Sequence, residues 1–227
     1  MKEYVSVIIP AYNEEIRIGN TLKPLISMDG IDEIVVVDDG STDKTSNVAA
    51  SLGVKVIKMK KNRGKGSALN EAAKIVKGSI IVLLDADLGE SVAEVKKIIQ
   101  PVLERKADIA IAAFPKKNKK SGFGLVKKFA IWVVNKYGKQ YLQEPLSGQR
   151  AFTREAFEKV TPFSKGFAVE VITSIRAGKN NLKIVEIPTE FSHRVTTRNL
   201  RGFLHRGRQF LHILQALIFM ETGRTNP

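Results

Sequence analysis

Short apolar runs alternate with longer amphipathic stretches along the first half of the chain. Residues 5–9, 34–37, 54–57, 80–84 and 109–112 are dominated by apolar, mostly β-branched positions, which predicts five strands. Between the first two, Ile16, Ile18, Leu22, Leu25 and Ile26 fall at helical spacing and predict a helix over 14–28. A second helix is expected from a Ser41 or Thr42 cap to about residue 52, with Asp43 near its positive end. Further helices are expected over 65–77, closed by Gly78, and over 92–104. Repeated strand–helix units with short turns predict an α/β fold, a mostly parallel sheet with helices on both faces.

The pattern changes after Phe114. "PKKNKKSGFGLVKK" predicts a mobile basic loop that leads into a helix, and "IWVVNKYGKQYL" continues that helix. "EPLSGQRAF" predicts a turn and a short strand, 167–177 a helix, and 183–187 a strand. From Asn199 onward, Leu200, Phe203, Leu204, Phe210, Leu211, Leu214, Leu217 and Ile218 recur at three- and four-residue steps, the mark of an amphipathic helix. Arg198, Arg201, Arg206 and Arg208 lie on or beside it. No internal repeat or low-complexity linker interrupts the chain. The 227 residues predict one domain with two halves, residues 1–112 and residues 113–227.

Composition narrows the function. Cysteine is absent, which excludes disulfides, thiolate metal sites and a catalytic thiol. The first residues show no signal-peptide pattern, and no apolar stretch approaches the roughly 20 residues of a membrane span. A cytoplasmic protein is expected, with peripheral contact at the inner membrane face open. The formal net charge of +14 favours anionic partners: nucleic acid, a phospholipid surface or phosphorylated small molecules.

Parallel sheets bind ligands at the carboxyl ends of their strands, and three acidic strand ends lie there. Asn13 and Glu14 follow the first strand, Asp38 and Asp39 the second, and Asp85 and Asp87 the fourth. In an extended segment, positions i and i+2 point the same way, so Asp85 and Asp87 are expected to face one locus across the small Ala86. Two such carboxylates repel unless a cation neutralises them. A divalent, oxygen-preferring ion, Mg²⁺ or Mn²⁺, is the natural partner, and it is most useful where it also holds a diphosphate. "NRGKGSALNEA" places Gly64, Lys65 and Gly66 before a helix. It is no Walker loop, because Met59 stands where the first glycine belongs, and no GxGxxG fingerprint, because Leu69 replaces the third.

"VIIPAYNEE", "VVVDDGSTDKT", "NRGKGSALNEAA" and "LLDADL", in this order, resemble the GT-A glycosyltransferases of the dolichyl-phosphate-mannose-synthase-like group. The resemblance implies a GT-A fold that holds a nucleotide-diphosphate sugar. It places Pro10, Tyr12 and Glu14 around the base, Asp39 near base and ribose, Lys65 nearby, Asp85 at ribose or sugar, and Asp87 on the metal. "EPLSGQRAFTREAF", "PFSKGFAVEV" and "FSHRVTTRNL" are similar to segments of glucosyl-3-phosphoglycerate synthases, which use UDP-glucose and a metal-ligating histidine. By that likeness His193 is a second metal ligand and Glu170 lies at the sugar or acceptor. If the reaction inverts the anomeric centre, Glu144 is the candidate base. Gly89, Gln149 and Phe191 depart from the two groups' patterns. The expected function is transfer of a sugar to an anionic, phosphorylated acceptor. A polyprenyl-phosphate acceptor at a membrane surface, or a non-enzymatic basic membrane-binding module, are the alternatives. Nucleic acid is not an expected partner, and a homodimer stays open.

Overall fold

The computed structural model describes residues 3–114, 124–164 and 168–192. His193, the helix expected from residue 199 and most of the basic loop after Phe114 lie outside the described residues.

The strands are β1 (Val5–Ala11), β2 (Glu33–Asp38), β3 (Lys55–Lys58), β4 (Ile80–Leu83), β5 (Ile109–Ala113), β6 (Arg150–Thr153) and β7 (Ile184–Pro188). The helices are α1 (Ile18–Ile26), α2 (Thr45–Ser51), α3 (Lys65–Ala73), α4 (Val95–Leu103), α5 (Gly124–Gly138), α6 (Arg154–Val160) and α7 (Val169–Lys179). The strands form one sheet in the order β3-β2-β1-β4-β6-β5-β7. Every pairing is parallel except those of β6, which runs antiparallel to both β4 and β5.

Both faces of the central strands are buried, which is why β1, β4 and β5 are apolar almost throughout. Along β4, Ile81 and Leu83 enter one core with Ala68 and Leu69 of α3, Val133 of α5 and Ile172 of α7. Ile80 and Val82 enter the other with Leu22 of α1, Ala49 of α2 and Ile98 of α4.

Several helix boundaries differ from expectation. The first helix starts at Ile18, because the 13–17 stretch is bound sideways to the β2–α2 loop: Asn13 N donates to Ser41 Oγ at 2.9 Å and Glu14 N to Thr45 Oγ1 at 2.8 Å. Ser41 is thereby engaged elsewhere, and Asp43 accepts the Thr45 amide at 2.9 Å at the start of α2. The third helix stops at Ala73, and Gly78 is no cap. It packs against β1, its amide donating to Ser6 Oγ at 2.9 Å. A further helix, α6, was not expected from the pattern. Its seven residues are too short for a periodic signal, but Thr153 caps it by accepting the Ala156 amide at 3.1 Å.

The order reverses at β1: β2 and β3 lie on one side of it, β4 on the other. In sheets of this kind such a switch point is where ligands bind, in the crevice at the carboxyl ends of the strands. Because β6 runs antiparallel beside β4, with Arg150 opposite Leu83, the turn before β6 arrives at this same edge.

Candidate functional site

Three loops at this edge carry the acidic residues. Pro10 is in β1, paired with Val37, and Tyr12 beyond it is 45% exposed. Glu14 accepts Arg17 Nη1 at 2.8 Å. That bond first, and then the Glu14 charge, hold the guanidinium firmly protonated, with Asp87 adding to the effect. Asp39 is buried and shapes its surroundings: one carboxylate oxygen accepts Arg63 N at 2.8 Å and the other Gly64 N at 2.7 Å. It thus ties the end of β2 to the turn that launches α3.

Lys65, the first residue of α3, joins two of the expected site residues. Its Nζ lies 2.8 Å from Asp85 Oδ1 and 2.9 Å from Glu170 Oε1 in the first turn of α7. Burial disfavours the ammonium, but the adjacent Asp85 and Glu170 charges outweigh it and raise its proton affinity. Asp85 Oδ2 accepts Gln149 Nε2 at 2.6 Å. Asp85, Lys65 and Glu170, from three distant segments, therefore meet at one point.

Two close approaches make this meeting feasible. A side chain at Gly148 would put its Cβ 2.5 Å from Lys65 Nζ and 3.2 Å from Asp85 Oδ2. One at Gly66 would collide with the Ser164 carbonyl, so α3 packs there only without a Cβ. Gly66 is therefore a packing position inside a helix rather than part of the turn.

Arg150 is a residue that sequence reasoning missed. It is 2% exposed, and its guanidinium spends three donors on the loop and on α7: Ser147 O at 2.9 Å, Pro145 O at 3.0 Å and Ser174 Oγ at 3.0 Å. Burial pushes its pKa down to about 10. Its role is to hold the 145–148 turn, and with it Gln149 and Gly148, against Asp85. An arginine beside an apolar strand reads as an exposed edge residue until the antiparallel insertion of β6 is known. Arg150→Lys cannot make all three bonds. It should cost about 2 kcal/mol, a Tm loss of roughly 4–8 °C in calorimetry. An unchanged Tm would show that the turn holds without it.

Glu144 has partners of its own. Its carboxylate pairs with Lys127 of α5 at 2.5 Å, and its amide donates to Glu186 at 2.6 Å. Asp87 also differs from the simple picture. β4 ends at Leu83 and the chain turns at Ala86 and Asp87, so strand alternation does not set the two carboxylates. Asp85 is committed to Lys65 and Gln149, whereas Asp87 is partly exposed on the turn.

No cluster of three or more His, Cys, Asp or Glu able to hold a metal ion occurs among the described residues. A partly exposed carboxylate at a strand end still fits a hard divalent cation that takes most of its oxygens from substrate phosphates and water. Ser192, which precedes His193 in the chain, donates its amide to Ser91 Oγ at 3.0 Å, just beyond the Asp87 turn.

Residues 6–168 match glycosyl transferase family 2. The chain is 38% identical over 217 residues to the uncharacterized protein MJ1222 of Methanocaldococcus jannaschii, covering 89% of each. It is 33% identical over 208 residues to a dolichol-phosphate mannosyltransferase of Pyrococcus furiosus, covering 84% of this chain and 57% of that protein. Among solved structures, it superposes on the glucosyl-3-phosphoglycerate synthase of Mycobacterium tuberculosis in complex with Mn²⁺, UDP and phosphoglyceric acid. The TM-score is 0.76 at 25% identity, over 94% of this chain and 78% of that one.

Proposed function

This chain belongs to glycosyl transferase family 2, and from that premise we propose that it moves a hexose from a UDP-glucose-like donor to a small phosphorylated acceptor, with a divalent cation. The observation that carries this reading is the joining of Asp85, Lys65 and Glu170 at the switch-point edge, next to the Asp87 turn. The family sets aside the non-enzymatic basic module.

In this reading Pro10, Tyr12, Glu14 and Asp39 surround the nucleotide. Asp39 acts largely by fixing the 63–64 backbone. Asp85 and Glu170 face the sugar, oriented by Lys65 and Gln149. Asp87 and His193 would hold Mg²⁺ or Mn²⁺. The cation, when bound, offsets the negative charge that the diphosphate gains on leaving. The sugar C1–O bond to the diphosphate breaks, and a bond from C1 to an acceptor oxygen forms. A hydroxyl acceptor must lose its proton, and Glu144 would serve as base only after exchanging its Lys127 partner. A phosphate oxygen needs no base.

A second reading, a polyprenyl-phosphate acceptor at a membrane surface, is favoured by one feature of α5. Leu125 is 83% and Trp132 51% exposed, with Lys136 Nζ 4.9 Å from the Trp132 ring centroid. An exposed aromatic–basic face suits a headgroup layer. No helix among the described residues is long and apolar enough to cross a membrane.

Product analysis by mass spectrometry decides between them. UDP-glucose, GDP-mannose and UDP-GlcNAc are each offered with phosphoglycerate and with polyprenyl phosphate. Hexosyl-phosphoglycerate from UDP-glucose is expected, and the lipid-linked product alone would select the second reading. With Mn²⁺, UDP at 100-fold over its Kd should stabilise the fold by about 2.7 kcal/mol. No product and no UDP protection would overturn both.

A further inference from the structure

Thr21 is fully buried in α1, on a face otherwise filled by Ile18, Leu22 and Leu25. Its hydroxyl leaves the helix and bridges the loop that carries Asp87. It donates to the Ala86 carbonyl at 2.9 Å and accepts the Gly89 amide at 2.9 Å. These two backbone groups flank Asp87 and Leu88. Ala86 is 5% and Leu88 1% exposed, so the side chains on either side of Asp87 are anchored inward. The loop cannot rotate without pulling Leu88 from the core or breaking the bridge. One turn before Thr21, Arg17 is paired with Glu14, and the Glu14 amide is fixed by Thr45. The first turn of α1 therefore connects the β1 loop to the Asp87 loop.

We propose that Thr21 is a positioning residue: its hydroxyl fixes the 86–89 backbone so that Asp87 presents its carboxylate outward in one orientation to a divalent cation. The inference rests on the reading of Asp87 as a cation ligand. A buried apolar residue would fill the same volume, so the hydroxyl's contribution is separable from packing. Valine has nearly the shape of threonine but takes that hydroxyl away from the Ala86 carbonyl and the Gly89 amide, while serine keeps it. Groups that orient a ligand from behind alter metal affinity by about 10- to 100-fold when removed.

The test is titration of the full chain with Mn²⁺ in the presence of UDP, with free Mn²⁺ followed by electron paramagnetic resonance. Thr21→Val should weaken Mn²⁺ binding about 10-fold or more, and Thr21→Ser should stay within about twofold of the wild type. UDP affinity without Mn²⁺ should be the same in all three proteins. If Thr21→Val does not fold, Thr21→Ala takes its place, and the contrast of alanine with serine decides. Wild-type Mn²⁺ affinity in Thr21→Val, or equal losses in the hydroxyl-free and serine variants, would overturn the proposal. A wild-type protein that shows no Mn²⁺-dependent UDP binding has a different signature. It would remove Asp87 as a ligand, and the inference with it, whatever the variants do.

Discussion

Asp87→Asn is expected to lower kcat/KM by about 10²-fold or more, roughly 2.7 kcal/mol of transition-state stabilisation, while leaving the fold intact. The fold should survive because Asp87 is partly exposed in the turn after β4, and the loop is held by Ala86, Leu88 and the Thr21 bridge rather than by the carboxylate. The loss should be large because an amide carries no negative charge for a hard cation. Steady-state kinetics across a Mn²⁺ series and a circular-dichroism melt measure the two halves. Chelation of the wild-type protein with EDTA should produce a comparable loss. Activity indifferent to both EDTA and the substitution would remove the metal from the reaction.

Lys65→Met should damage both stability and activity. The ammonium stands between Asp85 and Glu170, at 2.8 and 2.9 Å, with the three side chains 28%, 32% and 13% exposed. Removing it takes away the ammonium that bridges the two carboxylates. A buried pair broken in this way costs about 3–5 kcal/mol. Solvent reaches this one, so about 2 kcal/mol is expected, a Tm lower by roughly 4–8 °C. The catalytic loss should reach about 10²-fold in kcat/KM, since the orientation of both carboxylates goes with the lysine. The sign of the pH effect follows from proton affinity. The folded protein holds the Lys65 proton more tightly than an ordinary lysine does, at 10.5. Its contribution is therefore complete below that value and fades only as pH rises through the higher folded one. Between pH 6 and 9 the stability gap between wild type and variant should stay constant, to about 0.5 kcal/mol. Adding Glu170→Gln to Lys65→Met should restore some of the lost Tm, because the repulsion is relieved, but not the activity. A single variant with wild-type kcat/KM would show that this ion pair is structural only.

The residues differ in how far they could be read in advance. Asp39, Asp85 and Asp87 announce themselves locally, as carboxylates that end apolar runs in an alternating chain. Lys65 is visible as a cation between two glycines, but its partners are not. Asp85 reaches it from beyond the end of β4, and Glu170 from a helix that packs on one face of the sheet. Gln149 and Arg150 were visible only as members of a turn and a short strand. Their positions follow from β6 entering antiparallel between β4 and β5. A four-residue strand has the same side-chain period in either direction, so its sequence does not state which end meets the crevice.

Thr21 is the sharper case. Inside an amphipathic helix it reads as one polar position among apolar ones, and nothing nearby in the chain marks the Ala86 carbonyl and Gly89 amide as its partners. The helix boundaries shifted for the same kind of reason. Asn13 and Glu14 give their amides to Ser41 and Thr45, so the 14–17 stretch turns before α1 begins.

The chain by itself determined which runs would be strands, that the sheet would be covered on both faces, and that acidic residues would gather at its carboxyl edge. These follow from periodicity and from the chemistry of single residues, which act over one strand or a few helical turns. Tertiary structure alone decided the direction of β6, the three-way pairing at Lys65, the buried guanidinium behind Gln149 and the threonine bridge behind Asp87. Each depends on a hydrogen bond or ion pair between segments far apart in the chain. Such bonds exist only once packing has brought both partners within about 3 Å.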